Sequence, residues 1–185
     1  MSQVAVFLDR DGTINEQMGY VNHLSRFVLL PRTVTGIRRL NQAGLKIVVI
    51  TNQSGAARGY FPVSFIAEVH AHLENLLAAE GTHLDGIYVC AHHPDEACGC
   101  RKPEPGLLHQ AARELDLDLA RSYMVGDRLL DVQTAARAGV KGILVLTGYG
   151  RGERQYLSPK SPVQPVYVAP DLLEAADWII KDLGR

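Results

Sequence analysis

Five short, almost unbroken apolar runs recur along the chain, at residues 4–8, 46–51, 86–90, 123–126 and 142–146. A strand with one face in water alternates apolar and polar residues, whereas most of these runs do not, so they suit strands buried on both faces. Segments with helical spacing lie between them, from about 33 to 43, 62 to 80, 106 to 115 and 129 to 138, with Gly44, Gly81 and Gly139 placed to stop three of them. A last helix is expected from Asp171, because Asp171 and Glu174 have capping-box spacing. This alternation predicts an α/β fold with a doubly wound, Rossmann-like parallel sheet covered by helices on both faces. A chain of 185 residues with 46% hydrophobic content can bury one sizeable core and is short for two, so residues 1–185 are read as a single domain.

The first run ends on Asp9-Arg10-Asp11-Gly12-Thr13, which puts two carboxylates two residues apart at the carboxyl end of a strand. Open α/β sheets place their ligands in the crevice there, and Gly12 lets the backbone turn sharply towards a bound group. Taken alone, the pentapeptide could equally be a solvated Asp-Gly turn or a bare cation loop. Three later fragments count against that plain reading. The second run ends on Thr51 and Asn52, a hydroxyl and an amide, and such a Thr can donate to a phosphoryl oxygen. Lys102, between Arg101 and Pro103, offers a point charge of the kind that neutralises phosphate. The fourth run closes on Gly126-Asp127, with Asp131 one helical turn further on. Each fragment is weak by itself, since Thr51 could end a strand, Lys102 could lie on the surface and Asp127 could cap a helix. Their order and their places at strand ends give them weight. The glycine fingerprint of a dinucleotide site is missing after the first run.

All three cysteines fall in one stretch, as Cys90-Ala91-His92 and Cys98-Gly99-Cys100. With His92 they form a Cys3His set, a common donor group for structural zinc that leaves no open coordination position. An odd count leaves one thiol over in any disulfide scheme. The alternatives are reduced thiols beside a turn, or His93 as the nitrogen ligand in place of His92. A zinc loop over residues 90–100 would fold the segment that delivers Arg101 and Lys102.

The ordered set resembles the four motifs of the haloacid dehalogenase superfamily, and the resemblance spans most of the chain. It implies a magnesium-dependent phosphatase working through an aspartyl-phosphate. Asp9 would be the nucleophile, Asp11 the general acid and base, and Thr51 and Lys102 the phosphoryl stabilisers. Asp9, Asp127 and the backbone carbonyl of Asp11 would hold Mg2+, and Asp131 would reach it through water. Ion-pumping ATPases of the superfamily carry Thr where this chain has Asp11, which favours a phosphatase or phosphomutase. No insertion is long enough for the separate cap domain of many relatives.

The zinc loop running into Cys100-Arg101-Lys102-Pro103, together with Gly19-Tyr20-Val21, resembles a histidinol-phosphatase-like branch whose members remove the C7 phosphate of a heptose 1,7-bisphosphate on the way to nucleotide-activated heptose. Arg101 matches the position that recognises substrate in that branch, and a guanidinium fork suits a second, non-reacting phosphate. Asn52, Gln53, Arg128, Tyr20 and Arg58 are the other expected substrate contacts. Arg128 stands where relatives commonly have Lys, and Ala91 where they have Pro. A histidinol-phosphate phosphatase is the second reading, but Arg10, Arg58, Arg101, Lys102 and Arg128 suit a bisphosphate better than a cationic amino alcohol. A DNA 3'-end phosphatase is weakened by the modest charge, and a non-catalytic zinc-stabilised module by the presence of every motif residue.

A formal net charge of -1 without basic runs argues against a general nucleic-acid binder. No apolar stretch has transmembrane length and no basic leader precedes the first run, so the expectation is a cytoplasmic monomer acting on a small sugar bisphosphate, without nucleic-acid or membrane partners. Residues 148–165 gather Gly, Ser and Pro and read as a surface loop, with closure over the substrate as the lesser alternative. Loops 17–27 and 55–61, carrying Tyr20, Arg58 and Tyr60, are the available lids. His70 and His72 are expected at the surface or an interface, like His23, His83 and His109, and Trp178 in the core.

Overall fold

The computed structural model describes residues 2–185. It holds one parallel sheet of six strands in the order β3-β2-β1-β4-β5-β6. The strands are β1 (Ala5–Leu8), β2 (Lys46–Asn52), β3 (Gly86–Cys90), β4 (Tyr123–Gly126), β5 (Lys141–Val145) and β6 (Tyr167–Ala169). All four residues of β1 are buried: Val6 and Leu8 join the core on one face, Ala5 and Phe7 that on the other. That double burial explains why its sequence shows no alternation. Helices α1 (Thr33–Gln42), α2 (Ser64–Ala79) and α6 (Leu172–Asp182) pack on the first face, through Ile37, Leu73 and Ile179 among others. Helices α3 (Gly106–Leu115) and α4 (Leu129–Ala138) cover the second, through Leu108 and Ala135. None of the described helices is long and apolar enough to cross a membrane.

Two elements differ from expectation. The sixth strand, β6, was not anticipated: it has three residues, pairs only with β5, and is half-buried over two of them. The second is residues 148–165, read as a loop. They contain a short helix, α5 (Gly150–Gly152), a wider turn over Glu153–Leu157 and a 3-10 turn over Ser158–Lys160. Glu153 docks this segment: its buried carboxylate accepts the Leu129 backbone N–H at 3.0 Å and so satisfies the start of α4. The structure is imposed by tertiary contact, which local composition does not report. At α6, Asp171 caps the helix by accepting the Glu174 N–H at 3.0 Å, but the Glu174 side chain goes to Arg32 at 2.8 Å, leaving the capping box half made. Trp178 stacks on Tyr167 with centroids 4.9 Å apart, at the margin of the core.

Candidate active site

The parallel strands point their carboxyl ends into one cleft. Asp9 follows β1, Thr51 lies near the end of β2, Lys102 comes from the loop after β3, and Asp127 follows β4. Asn52 fixes the lysine loop, its Oδ1 accepting the Lys102 N–H at 3.1 Å and its Nδ2 donating to the Lys102 carbonyl at 3.3 Å. The Lys102 ammonium is buried and lies 2.8 Å from Asp9 Oδ1 and 2.6 Å from Asp131 Oδ1. The second Asp131 oxygen accepts the Arg128 N–H at 3.1 Å, so both of its oxygens are engaged.

One lysine therefore faces three buried acids, Asp9, Asp127 and Asp131, whose nearest oxygens all lie within 4.8 Å of one another. Burial pushes the Asp9 carboxyl up to about 6, the pull of Lys102 opposing and the charge of Asp131 adding. Burial followed by Asp9 and Asp131 pushes Asp127 up to about 8. Burial alone would lower Lys102, but Asp131 and Asp9 more than offset it and hold it protonated. Asp127 Oδ2 accepts the Tyr149 N–H at 2.8 Å, while its Oδ1 is buried without a partner. An orphaned carboxylate oxygen beside two further acids is a donor set for a hard divalent cation. The backbone around it is close-fitting. Gly12 and Gly148 have φ of +88° and +49°, and a Cβ on either would overlap the Asp127 carboxylate.

Asp11 stands apart from this cluster. Its carboxylate accepts from Arg10 Nη2 at 2.8 Å, Asn15 Nδ2 at 2.9 Å and Gln53 Nε2 at 2.7 Å. Gln53 Nε2 also lies 2.9 Å from Thr51 Oγ1, so this side chain links the two. Gln53 was expected at the substrate; it is buried and does not line the cleft. Arg10, counted among the charges facing the substrate, is 1% exposed and turned inwards. Arg58 is exposed and outside the cleft lining, and on the same loop the Tyr60 ring meets the cleft residue Tyr20 edge-on at 4.9 Å. Tyr20, Asn52, Arg101 and Arg128 do line the cleft. Arg128 is held between Glu153, 3.3 Å from its Nε, and the Tyr149 ring, 5.6 Å from its Cζ. Arg101 Nη1 is buried with no partner. The lining residues that sequence reasoning missed are Ser54, Leu130 and Tyr149, while Gln17 lies in the lid loop 17–27. Only Tyr149 had a signal, the adjacent Gly148 just past the fifth apolar run. His70, expected at the surface, is buried against Arg10.

Residues 99–175 match the HAD-hydrolase-like family model. The chain is 41% identical to the D-glycero-D-manno-heptose-1,7-bisphosphate 7-phosphatase of Thermosynechococcus vestitus, over 100% of this chain and 99% of that protein. It is 39% identical to the D-glycero-beta-D-manno-heptose-1,7-bisphosphate 7-phosphatase of Escherichia coli K12, over 97% and 90%. The chain belongs to the heptose-bisphosphate phosphatase family of the haloacid dehalogenase superfamily. A member of this family from B. bronchiseptica, the D,D-heptose 1,7-bisphosphate phosphatase solved with magnesium and phosphate, superposes with a TM-score of 0.89 at 37% identity, covering 97% of this chain and 99% of that one. A beta-phosphoglucomutase from Clostridium difficile, at 11% identity and a TM-score of 0.63, shares the fold alone.

Beside the family's cleft lies the cysteine loop. Cys90 Sγ is 3.0 Å from Cys100 Sγ and 3.6 Å from Cys98 Sγ, and His92 Nδ1 is 3.1 Å from Cys100 Sγ. These separations exceed the ~2.05 Å of a disulfide, and the three cysteines are free. The converging group contains His92 and not His93, whose Nδ1 lies 3.2 Å from Asp95 instead.

Proposed function

We propose that the chain removes the C7 phosphate of D-glycero-D-manno-heptose 1,7-bisphosphate, with Asp9 as nucleophile. The observation that carries this reading is the pair of guanidinium groups, Arg101 and Arg128, that share the cleft with Asp9 and Lys102. A monophosphate needs one anion site, which Lys102 and Thr51 supply; a buried, unpartnered Arg101 Nη1 in the same cleft is suited to a second phosphate. The names of the full-length relatives support the same substrate. A single domain over residues 1–185, acting as a cytoplasmic monomer on this small molecule and without nucleic-acid or membrane partners, completes the reading.

Asp9, Asp127 and the Asp11 carbonyl would hold Mg2+, which offsets the negative charge of the transferring group when bound. The orphaned Asp127 Oδ1 and the excess of acids over cations fit that role. An Asp9 oxygen forms a bond to phosphorus as the bond to the C7 oxygen breaks, and the leaving alkoxide takes a proton from Asp11. Lys102 and Thr51 stabilise the equatorial oxygens. Asp11, now ionised, takes a proton from water, which attacks the aspartyl-phosphate, breaks its P–O bond and releases phosphate. Arg101 contributes binding rather than chemistry. Arg101→Ala should therefore raise KM for the bisphosphate by about 10- to 100-fold, the range expected for a charged hydrogen bond, and change KM for an aryl phosphate little. Equal effects on both in steady-state assays would remove its recognition role.

Cys90, His92, Cys98 and Cys100 would hold a structural zinc ion. Four donors converging with thiols 3.0–3.6 Å apart fit that group, since sulfurs on a tetrahedral ion with ~2.3 Å bonds sit somewhat under 4 Å apart. Zinc would brace the turn that carries Arg101 and Lys102. Cys98→Ser should lower the zinc content and the melting temperature, by roughly 2–4 °C for each kcal/mol lost in a chain of this length. Normal zinc by mass spectrometry with an unchanged melting curve would refute the structural role.

The assay for the whole reading is Mg2+-dependent phosphate release from both anomers of the heptose bisphosphate, with histidinol phosphate and a 3'-phosphorylated oligonucleotide in parallel. Release of one phosphate with the 1-phosphate retained by phosphorus NMR is the expected result. Preference for either competitor would overturn the substrate.

A further inference from the structure

Arg10 is the largest of the fully buried side chains, and nothing in the reaction as described uses it. Its guanidinium is a fork on Asp11, with Nη2 2.8 Å from Oδ2 and 3.0 Å from Oδ1, and Nε 3.3 Å from Oδ1. The remaining nitrogen, Nη1, lies 3.2 Å from His70 Nε2. A guanidinium only donates, so His70 Nε2 is the acceptor and the imidazole proton sits on Nδ1. Burial, then the charge of Arg10, holds His70 down at about 4, which keeps the accepting form at neutral pH. Phe27 covers the guanidinium, its ring centroid 5.9 Å from Cζ. Neither Arg10 nor His70 lines the cleft.

We propose that His70 is a positioning residue that acts through Arg10 to aim the Asp11 carboxylate at the leaving group and at the attacking water. The other partners of Asp11, Asn15 and Gln53, are neutral amides on segments beside the cleft. The Arg10 fork is its charged partner, and His70 ties that fork to α2, an element packed into the core through Val69 and Leu73. Removing the acceptor leaves Nη1 buried and unsatisfied, so the guanidinium shifts to find another partner and carries the Asp11 carboxylate with it. Such a shift matters in proportion to how much the leaving group needs a proton. A sugar alkoxide needs one fully; a dinitrophenolate scarcely does.

The inference rests on the acid and base role proposed for Asp11, and the test separates the two. His70→Asn puts an amide near the place of Nδ1, too short to reach Nη1, whereas His70→Gln puts its Oε1 near the place of Nε2. Phosphoryl transfer in a single turnover is followed in the Mg2+-loaded enzyme with a series of aryl phosphates of graded leaving-group pKa, with the heptose bisphosphate, and with Asp11→Asn in parallel. His70→Asn should slow the heptose substrate on the order of 10-fold or more and dinitrophenyl phosphate less than about 3-fold, steepening the dependence on leaving-group pKa, because acid catalysis is worth about 10²–10⁴ in all. His70→Gln should restore the wild-type slope. A wild-type slope in His70→Asn, with equal slowing of every substrate or none, overturns the positioning role. If Asp11→Asn also leaves the slope unchanged, the acid role itself fails.

Discussion

Asp9→Asn should lower kcat for phosphate release by at least ~10⁴-fold, the scale seen when a nucleophile is removed and binding is kept. The change replaces one carboxylate oxygen by an amide of almost the same shape, so packing is undisturbed. Lys102 keeps its contact with Asp131 at 2.6 Å and stays paired. The acid cluster loses one of three mutually repelling charges, which removes part of what raises Asp127. Circular dichroism and the melting curve should therefore show a folded protein, and acid-quenched enzyme should carry no phosphoryl group. Residual turnover of a few per cent, in protein shown by mass spectrometry not to have deamidated, would remove Asp9 as the nucleophile.

Lys102→Met should cost activity and stability together. Breaking a buried ion pair by deleting one partner typically costs about 3–5 kcal/mol, because the other charge stays buried alone. Here two carboxylates, Asp9 and Asp131, lose their shared cation. The loss should depend on pH in a direction set by the acids. Asp9 and Asp127 already have pKa values raised from 3.8, to about 6 and about 8, so their ionised forms disfavour the folded state once pH passes the unfolded value. Without Lys102 those values rise further. Destabilisation should then be smallest near pH 4 and grow up to and beyond pH 8. Melting temperatures at pH 5 and pH 8 in chelator test this, and an equal loss at both would refute it. Saturating Mg2+ should recover part of the melting temperature. It should not recover kcat, expected to fall about 10²–10³-fold with the loss of a preorganised charge at the phosphoryl oxygens.

The strands at residues 4–8 and 123–126 were legible because double burial leaves a continuous apolar run, and their ends located Asp9 and Asp127 without tertiary knowledge. β6 was not, because a three-residue edge strand beside Pro165 and Pro170 is scarcely distinguishable from a turn. The turns over residues 150–160 were read as loop because Glu153, which anchors them on α4, looks like any surface acid in sequence. Cys90, Cys98 and Cys100 stood out by spacing, with His92 favoured over His93, and the structure puts His92 Nδ1 3.1 Å from Cys100 Sγ while His93 pairs with Asp95.

Arg10 and His70 mark the same boundary. Sequence alone determined which chemical groups gather at the strand ends, since strand periodicity and chain order bring Asp9, Thr51, Lys102 and Asp127 to one edge of the sheet whatever the details of packing. Only the tertiary structure decided that Arg10 turns inwards onto Asp11 and that His70, sixty residues away, accepts from it. The physical reason is that a side chain's direction follows from which neighbours can satisfy it once water is excluded, and those neighbours come from distant parts of the chain.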